Sequence, residues 1–327
     1  MLAYLLRRLA QSILVMLTVA LVSFVLFQFV GDPITFILGQ DATIEEKQRL
    51  RGELGLDDPV PVQFGRFVVQ AAQGEFGYSL RQGRKVSELI AEKAPATLEL
   101  SLVAIVIALA AGIPAGVYCA LKKDSLLAKW LMGVSLLGVS LPTFLIGIFL
   151  ILIFSVWLGW LPSFGRGDTV TVAGWRTGLL TSSGWAHIIL PAITLSLFQL
   201  TMIMRLVRVE MLEVLRADYI KFARARGLSQ NVIHFGHALK NTLIPVMTIV
   251  GLELGAVIAF AIITETVFQW PGMGLLFIQA ITFADIPVMA AYLCLISLIF
   301  VSINLMVDIL YVVVDPRLRV NSQANAH

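Results

Sequence analysis

The run LAQSILVMLTVALVSFVLFQFV, Leu9 to Val30, holds 22 residues without one charged side chain. At about 1.5 Å of rise per residue a helix of that length covers the roughly 30 Å of a bilayer's hydrocarbon core, where no water can satisfy open backbone groups. Arg7 and Arg8 precede it. The run exceeds the about 7 to 15 apolar residues of a signal peptide, and no Ala-x-Ala-like site ends it. It reads as an uncleaved first span with its amino terminus in the cytoplasm.

Working outward, further runs of bilayer length lie near 96–121, 130–158, 188–210, 242–264 and 287–314. The expectation is an all-α integral membrane protein of about six transmembrane helices. Composition agrees: 58% of the 327 residues are hydrophobic, 14% are charged, and the mean hydropathy is +0.88. Such a chain cannot hide its apolar surface in a soluble core. The net charge of +3 is no argument for nucleic acid, because the placement of cations matters more than their sum. Cys119 and Cys294 fall inside apolar runs and read as small buried hydrophobes, with no disulfide framework or metal site.

Fourteen lysines and arginines fall on one side of the six-span topology. They are Arg7 and Arg8, Lys122, Lys123 and Lys129, the seven from Arg205 to Lys240, and Arg317 with Arg319. The two short loops on the other side hold only Arg166 and Arg176. Short cytoplasmic loops retain positive charge, which predicts both termini inside. The implied divisions are 1–30 (amino terminus and first span), 31–95 (an extracytoplasmic region), 96–315 (the membrane core, with a cytoplasmic loop at 211–241) and 316–327 (a cytoplasmic tail). Within 31–95, Thr43-Ile44-Glu45-Glu46 predicts a capping box opening a short polar helix that Gly52 or Gly55 would end. Phe64, Phe67, Val68, Val69 and Phe76 give this region something to bury. Trp160 to Trp185 suits an outer loop with indoles at headgroup level. No internal repeat is evident, which weakens a transporter built from inverted repeats.

Glu210 to Asn241 is the longest and most charged of the predicted cytoplasmic loops. Tyr219, Phe222, Ala223 and Arg226 recur at i, i+3, i+4 and i+7, predicting a short helix with one semi-apolar face ringed by cations. Gly227 either ends that helix in the left-handed conformation or lets a partner's backbone approach closely. A second amphipathic stretch, Asn231 to Lys240, leads to Pro245. Any basic loop obeying the positive-inside rule shares part of this pattern.

The run Asp218-Tyr219-Ile220-Lys221-Phe222-Ala223-Arg224-Ala225-Arg226-Gly227-Leu228, with His237-Ala238-Leu239-Lys240-Asn241 and Pro245 beyond it, resembles the EAA loop of binding-protein-dependent ABC importer permeases. Its form closely resembles that of the dipeptide and oligopeptide permeases of the peptide/nickel branch, as in the first of their two membrane subunits. Gly31-Asp32-Pro33, Ala96-Thr97-Leu98-Glu99-Leu100, Leu158-Gly159-Trp160-Leu161-Pro162, Thr264-Glu265-Thr266-Val267-Phe268, Trp270-Pro271-Gly272-Met273-Gly274 and Asp315-Pro316-Arg317 extend the resemblance in order over essentially the whole chain. Position 218 is aspartate where the loop often begins with glutamate, and Tyr219 and Lys221 replace small residues.

The resemblance implies a type I ABC importer permease fold in the bacterial inner membrane. It implies that Asp218, Tyr219, Phe222, Ala223, Arg224, Arg226, Gly227 and Leu228 couple to an ATP-binding subunit. The implied partners are a second homologous permease subunit, two ATP-binding subunits and an extracytoplasmic substrate-binding protein. Dipeptides or oligopeptides are the implied cargo, with glutathione or nickel chelates as alternatives. The chain itself would bind no cofactor, ATP and Mg belonging to the partners.

Absent motifs point the same way. No Gly-Lys pair occurs, so a G-x-x-x-x-G-K-[ST] phosphate loop is missing, as are H-E-x-x-H and G-x-S-x-G. His234 and His237 read as structural, not as metal ligands. Glu253 falls about 16 Å into the fifth span at 1.5 Å per residue. A carboxylate at that depth must face a cavity or a partner, so it is a pathway candidate for a cationic substrate group or a paired residue at a subunit interface. Gln199 is a second pathway candidate, and like Asn304 and Asp308 it suits interhelical hydrogen bonding. A secondary transporter or channel would work alone under an ion gradient, and an intramembrane enzyme would need catalytic residues converging at depth.

Overall fold

The computed structural model describes residues 2–29, 43–53, 57–79 and 81–314. Gly31-Asp32-Pro33, Gly55 and everything from Asp315 onward lie outside the described residues. The helices are α1 (Leu2–Phe29), α2 (Ile44–Glu53), α3 (Val60–Ala72), α4 (Val86–Leu121), α5 (Leu126–Ser140), α6 (Thr143–Leu150), α7 (Ser182–Val214), α8 (Asp218–Ala225), α9 (Leu239–Val267), α10 (Met273–Thr282) and α11 (Ile286–Val314). Two π-helical stretches, Ile151–Trp157 and Val232–Ala238, continue α6 and lead into α9. Two short antiparallel hairpins pair Tyr78–Ser79 with Arg84–Lys85, and Val170–Val172 with Trp175–Thr177.

Among the described residues, four helices are long and apolar enough to cross a membrane: Leu6–Leu26 within α1, then α4, α7, and Ile286–Ile309 within α11. Two bent pairs, Leu126–Ser140 with Thr143–Trp157 and Val232–Gly251 with Glu253–Val267, bring the number to six when each is counted as one span. The expected single run over 130–158 is corrected: it turns by 111° at a break between Ser140 and Thr143. Pro142 stands there with φ −58° and ψ 135°. It lacks an N–H and pushes Leu141 away from the helical region. The expected start of the second span at 96 is corrected too. Helix α4 begins ten residues earlier and runs 36 residues, about 54 Å. Its first turns carry Glu88, Glu92 and Lys93, with Arg84 reaching Glu88 at 3.8 Å and Glu92 at 2.7 Å. Polar turns of this kind are invisible to hydropathy.

The chain divides into two compact units, Met1–Ala96 with Pro271–Leu305, and Thr97–Trp270 with Met306–His327. In the first, the Phe24 ring meets Phe64 at 5.6 Å and Phe67 at 6.0 Å, so two of the aromatics noted in 31–95 pack on α1. Cys294 donates to Ser23 Oγ across 3.7 Å. Val86 and Leu89 form a core with Leu276, Ala280, Val288 and Ala291. The hairpin is tied down by Ser79 Oγ donating to buried Asp285 at 2.5 Å. Helix α2 opens with the expected box: the Thr43 N–H donates to Glu46 Oε2 at 3.0 Å, and the Glu46 N–H donates to Thr43 Oγ1 at 3.3 Å. The Thr43 N–H and the Thr43 hydroxyl, both donating to Oε2, hold the Glu46 carboxyl below its ordinary range. The described part of the helix runs through Gly52 to Glu53.

In the second unit α4 lies against α7 at Gly112 and Gly116. A methyl group on Gly116 would stand 2.6 Å from the Met204 carbonyl oxygen and 2.7 Å from Val207. The small-x-x-x-small spacing lets the two backbones approach as in other membrane bundles.

Candidate functional site

Helix α8 and its surroundings build the predicted coupling element. Residues Ala217 to Arg226 leave the membrane-length helix α7 and return through the π-helical stretch to α9. Ile220 and Ala223 are buried in one core with Val117, Val207, Met211, Ile233, Ala238 and Val246. That core includes residues of α4, α7 and α9, so α8 is seated on the ends of three long helices. The opposite side is open: Tyr219, Phe222, Arg224 and Arg226 are exposed, Phe222 at 64%.

This splits the face expected from the sequence. Tyr219, Phe222 and Arg226 do share a side, but Ala223 faces inward beside Ile220, one helical turn away at i, i+3. Ala223 therefore belongs to the seat of the helix and not to the surface a partner would touch. Ile220, unremarked in the sequence, is the completely buried anchor of the element. Its β-branched aliphatic character in a cation-rich stretch was the available signal.

The ends of α8 are chemically defined. Asp218 stands in the first turn, where a carboxylate complements the helix dipole. Lys221 Nζ donates to it at 2.8 Å and holds its carboxyl below the ordinary range. At the other end Gly227 has φ +76°. Its N–H donates to the Arg224 carbonyl at 2.9 Å and the Leu228 N–H to the Ala223 carbonyl at 3.3 Å, the paired bonds of a Schellman motif. Of the two readings of Gly227, the left-handed helix stop is the one observed, and a Cβ there would meet nothing within 4 Å. Leu228 follows, exposed. Asn241 Nδ2 donates to the Tyr219 hydroxyl at 2.9 Å, joining the two sequence motifs of this loop. The Arg226 guanidinium lies 5.8 Å from the Phe222 ring centre. Neither His234 nor His237 belongs to a cluster of three or more metal-ligating side chains among the described residues.

Deeper in the unit, Gln199 of α7 donates to Glu253 of α9 at 3.2 Å. Both line a small cavity of about 80 Å³, with Ile105, Met202, Ile203 and Leu254 among its otherwise apolar walls. The structure brings these two pathway candidates together.

A third constellation escaped the sequence. Arg166 Nη2 donates to Glu99 Oε2 at 2.6 Å with both side chains under a tenth exposed. Glu99 also accepts from Trp175 Nε1 at 3.2 Å and from the Gly178 N–H at 3.4 Å, while Arg166 donates to the Arg176 carbonyl at 2.7 Å. The hairpin loop is thus pinned to α4, and the Trp175 indole spends its N–H on a carboxylate. Two residues earlier on α4, Thr97 Oγ1 donates to the fully buried Glu265 at 2.5 Å. The signals were present: Glu99 and Glu265 are carboxylates within quoted motifs, and Arg166 is one of two cations in a cation-poor loop.

The model of the binding-protein-dependent transport system inner membrane component matches residues 112–320. The model of the N-terminal part of such membrane components matches residues 1–101. The chain is 39% identical over 332 residues to a dipeptide transport system permease protein of Alkalihalophilus pseudofirmus, covering 98% of this chain and 100% of that one. It is 41% identical over 335 residues to a di/tripeptide transport system permease protein of Pseudomonas aeruginosa, covering 98% and 99%. A dipeptide permease of Escherichia coli is 37% identical over 338 residues, again with 98% and 99% covered. Among solved structures, the inward-facing MetNI methionine ABC transporter aligns with a TM-score of 0.54 at 18% identity, over 69% of this chain and 96% of that one. That likeness shows the fold.

Proposed function

Since the chain belongs to the binding-protein-dependent transport system inner membrane components, multi-pass permease subunits whose ATP hydrolysis is done by separate subunits, we propose that its cargo is a dipeptide or short oligopeptide. The observation that carries this reading is identity of 39% to 41% over 98% of the chain to permeases of dipeptides and of di- and tripeptides. The chain works with ATP-binding, permease and substrate-binding partners in general terms. The finer proposal is one homologous but distinct permease half, two ATP-binding subunits that carry ATP and Mg, and an extracytoplasmic binding protein that delivers the peptide. Both termini would lie in the cytoplasm, which puts α8 on the cytoplasmic side.

The mechanism follows from how α8 is built. A partner gripping Tyr219, Phe222, Arg224 and Arg226 moves a helix whose other side, Ile220 and Ala223, is packed into a core shared with α4, α7 and α9. Packed cores transmit displacement as rigid-body shifts and do not deform smoothly. Approach of the two ATP-binding subunits would therefore tilt the long helices and switch the pathway between faces, a coupling between two remote sites. Glu253, held by Gln199, would offer a carboxylate to the peptide's ammonium group on the way through.

The test is reconstitution. Proteoliposomes holding the complete complex and its binding protein are expected to accumulate a labelled dipeptide in step with ATP hydrolysis. Solute accumulation by this chain alone, driven by an ion gradient, would overturn the reading; uptake of a nickel chelate or glutathione in place of the peptide would overturn its substrate part.

A further inference from the structure

We infer that the turn between α4 and α5 and the end of α7 form a binding site for the headgroup of an anionic phospholipid of the inner leaflet, an inference that rests on the orientation proposed above. The site is a recess of about 430 Å³ whose lining includes Lys122, Lys123, Asp124, Ser125, Leu212 and Arg216. That volume lies in the range of small-ligand sites, roughly 300 to 1,000 Å³.

Three cations therefore face one carboxylate, and Lys122, Lys123 and Arg216 ion-pair with none of the described residues. They are not on a loose loop. The Lys122 N–H donates to the Tyr118 carbonyl and the Ser125 N–H to the Lys122 carbonyl, each at 2.9 Å. Ser125 Oγ accepts from the Ala128 N–H at 3.1 Å and lies 3.3 Å from the Tyr118 hydroxyl. The turn is thus a rigid strap that holds its positive charges at the mouth of the recess.

What surrounds the cations selects the ligand. Leu126, Leu127 and Trp130, immediately beyond the strap, are 84%, 50% and 62% exposed. Large apolar side chains bare to this extent, with an indole among them, are the pattern of a membrane interface, where acyl chains cover them and the indole sits at headgroup level. A free phosphate would use the cations and ignore the apolar rim. A phospholipid uses both. Basic pockets between membrane helices on the cytoplasmic side take anionic headgroups for this reason, while zwitterionic lipids bring no net charge to the cations.

The recess adjoins the coupling element: Arg216 lies two residues before Asp218, and α7 carries Leu212 at the recess and Met211 in the core that seats Ile220. Headgroup occupancy would stiffen the helix end on which the coupling element rests.

The test uses the complete transporter in detergent, with native mass spectrometry during titration of phosphatidylglycerol, phosphatidylcholine or inorganic phosphate. The wild type is expected to retain phosphatidylglycerol in preference to phosphatidylcholine and to keep it in excess phosphate. Removing charge by Lys122→Gln, Lys123→Gln and Arg216→Gln should lower phosphatidylglycerol affinity about fivefold per charge, while the control Lys85→Gln leaves it unchanged. Equal retention of both lipids, displacement by phosphate, or an unaffected triple variant would overturn the site. Loss of the ATP-binding subunit from the triple variant with lipid retention intact would assign the cations to that partner instead. Labelling a Lys123→Cys variant from either side of the membrane tests the orientation separately.

Discussion

Glu99 and Arg166, 67 positions apart in the chain, meet at 2.6 Å with neither side chain more than a tenth exposed. The pair is the hub that fastens the Val170–Thr177 hairpin to the membrane helix α4. Breaking a buried pair by removing one partner leaves an uncompensated charge, at about 3–5 kcal/mol. The single variants Glu99→Gln and Arg166→Met are expected to lose that much stability. The double variant should lose distinctly less, read as the melting temperature of the purified complex. Additive losses in the double variant would show that the two charges do not depend on one another.

The two sides of α8 should separate in experiment. Ile220→Ala removes a fully buried side chain and is expected to destabilise the seat of the helix by about 2–4 kcal/mol, seen as faster amide exchange across Asp218–Ala225. Phe222→Ala touches an exposed ring, so stability should change by less than about 0.5 kcal/mol. Its cost should appear as at least tenfold weaker capture of the ATP-binding subunit, as expected for an aromatic interface anchor. Equal capture by Phe222→Ala and wild type would remove the outer face from the coupling contact.

Gly227 holds φ +76°, where a residue with a Cβ carries about 1–2 kcal/mol of strain and a β-branched one is an outlier. Gly227→Val should let the complex assemble and hydrolyse ATP while uptake per ATP falls. Gly227→Asn, which tolerates the left-handed region, should retain most coupling. Wild-type uptake per ATP in Gly227→Val liposomes would sink the claim.

Glu253→Gln removes charge while leaving Gln199 an oxygen to donate to. Uptake of a peptide with a free amino terminus is expected to fall about tenfold, some 1.4 kcal/mol, whereas uptake of its N-acetylated form should be unaffected. An equal response of the two peptides, whether large or nil, would make the carboxylate a structural partner of Gln199.

Ala284 closes α10 at φ +52°, with its N–H on the Ile281 carbonyl at 3.2 Å and the Asp285 N–H on the Ala280 carbonyl at 2.8 Å. This is the same helix stop as at Gly227, made without glycine. Ala284→Gly is expected to stabilise the complex by about 1 kcal/mol, raising its melting temperature. A lowered melting temperature would show that the methyl group contributes packing worth more than the strain.

The capping box at Thr43, the glycine stop at 227 and the run of membrane helices were legible because each depends on near neighbours in the chain. The break at Pro142 was legible in principle, since proline acts on the residue before it, but continuous hydropathy across 130–158 concealed it. The early start of α4 was hidden for the opposite reason, its first turns being polar. Assigning Ala223 to the outer face failed because α8 has two stripes of similar hydropathy. Only the core beneath it decides which one turns inward.

By itself, then, the amino-acid order determined that lipid is the solvent, which runs are apolar enough to enter it, and where a basic knob ends in glycine, because these follow from run length, charge and backbone preference over a few turns. Tertiary structure alone decided that Ile220 anchors that knob, that Gln199 reaches Glu253, and that Arg166 answers Glu99. Those partners lie 54 and 67 positions apart, and inside a low-dielectric core a polar group selects whichever complement the packing brings within reach.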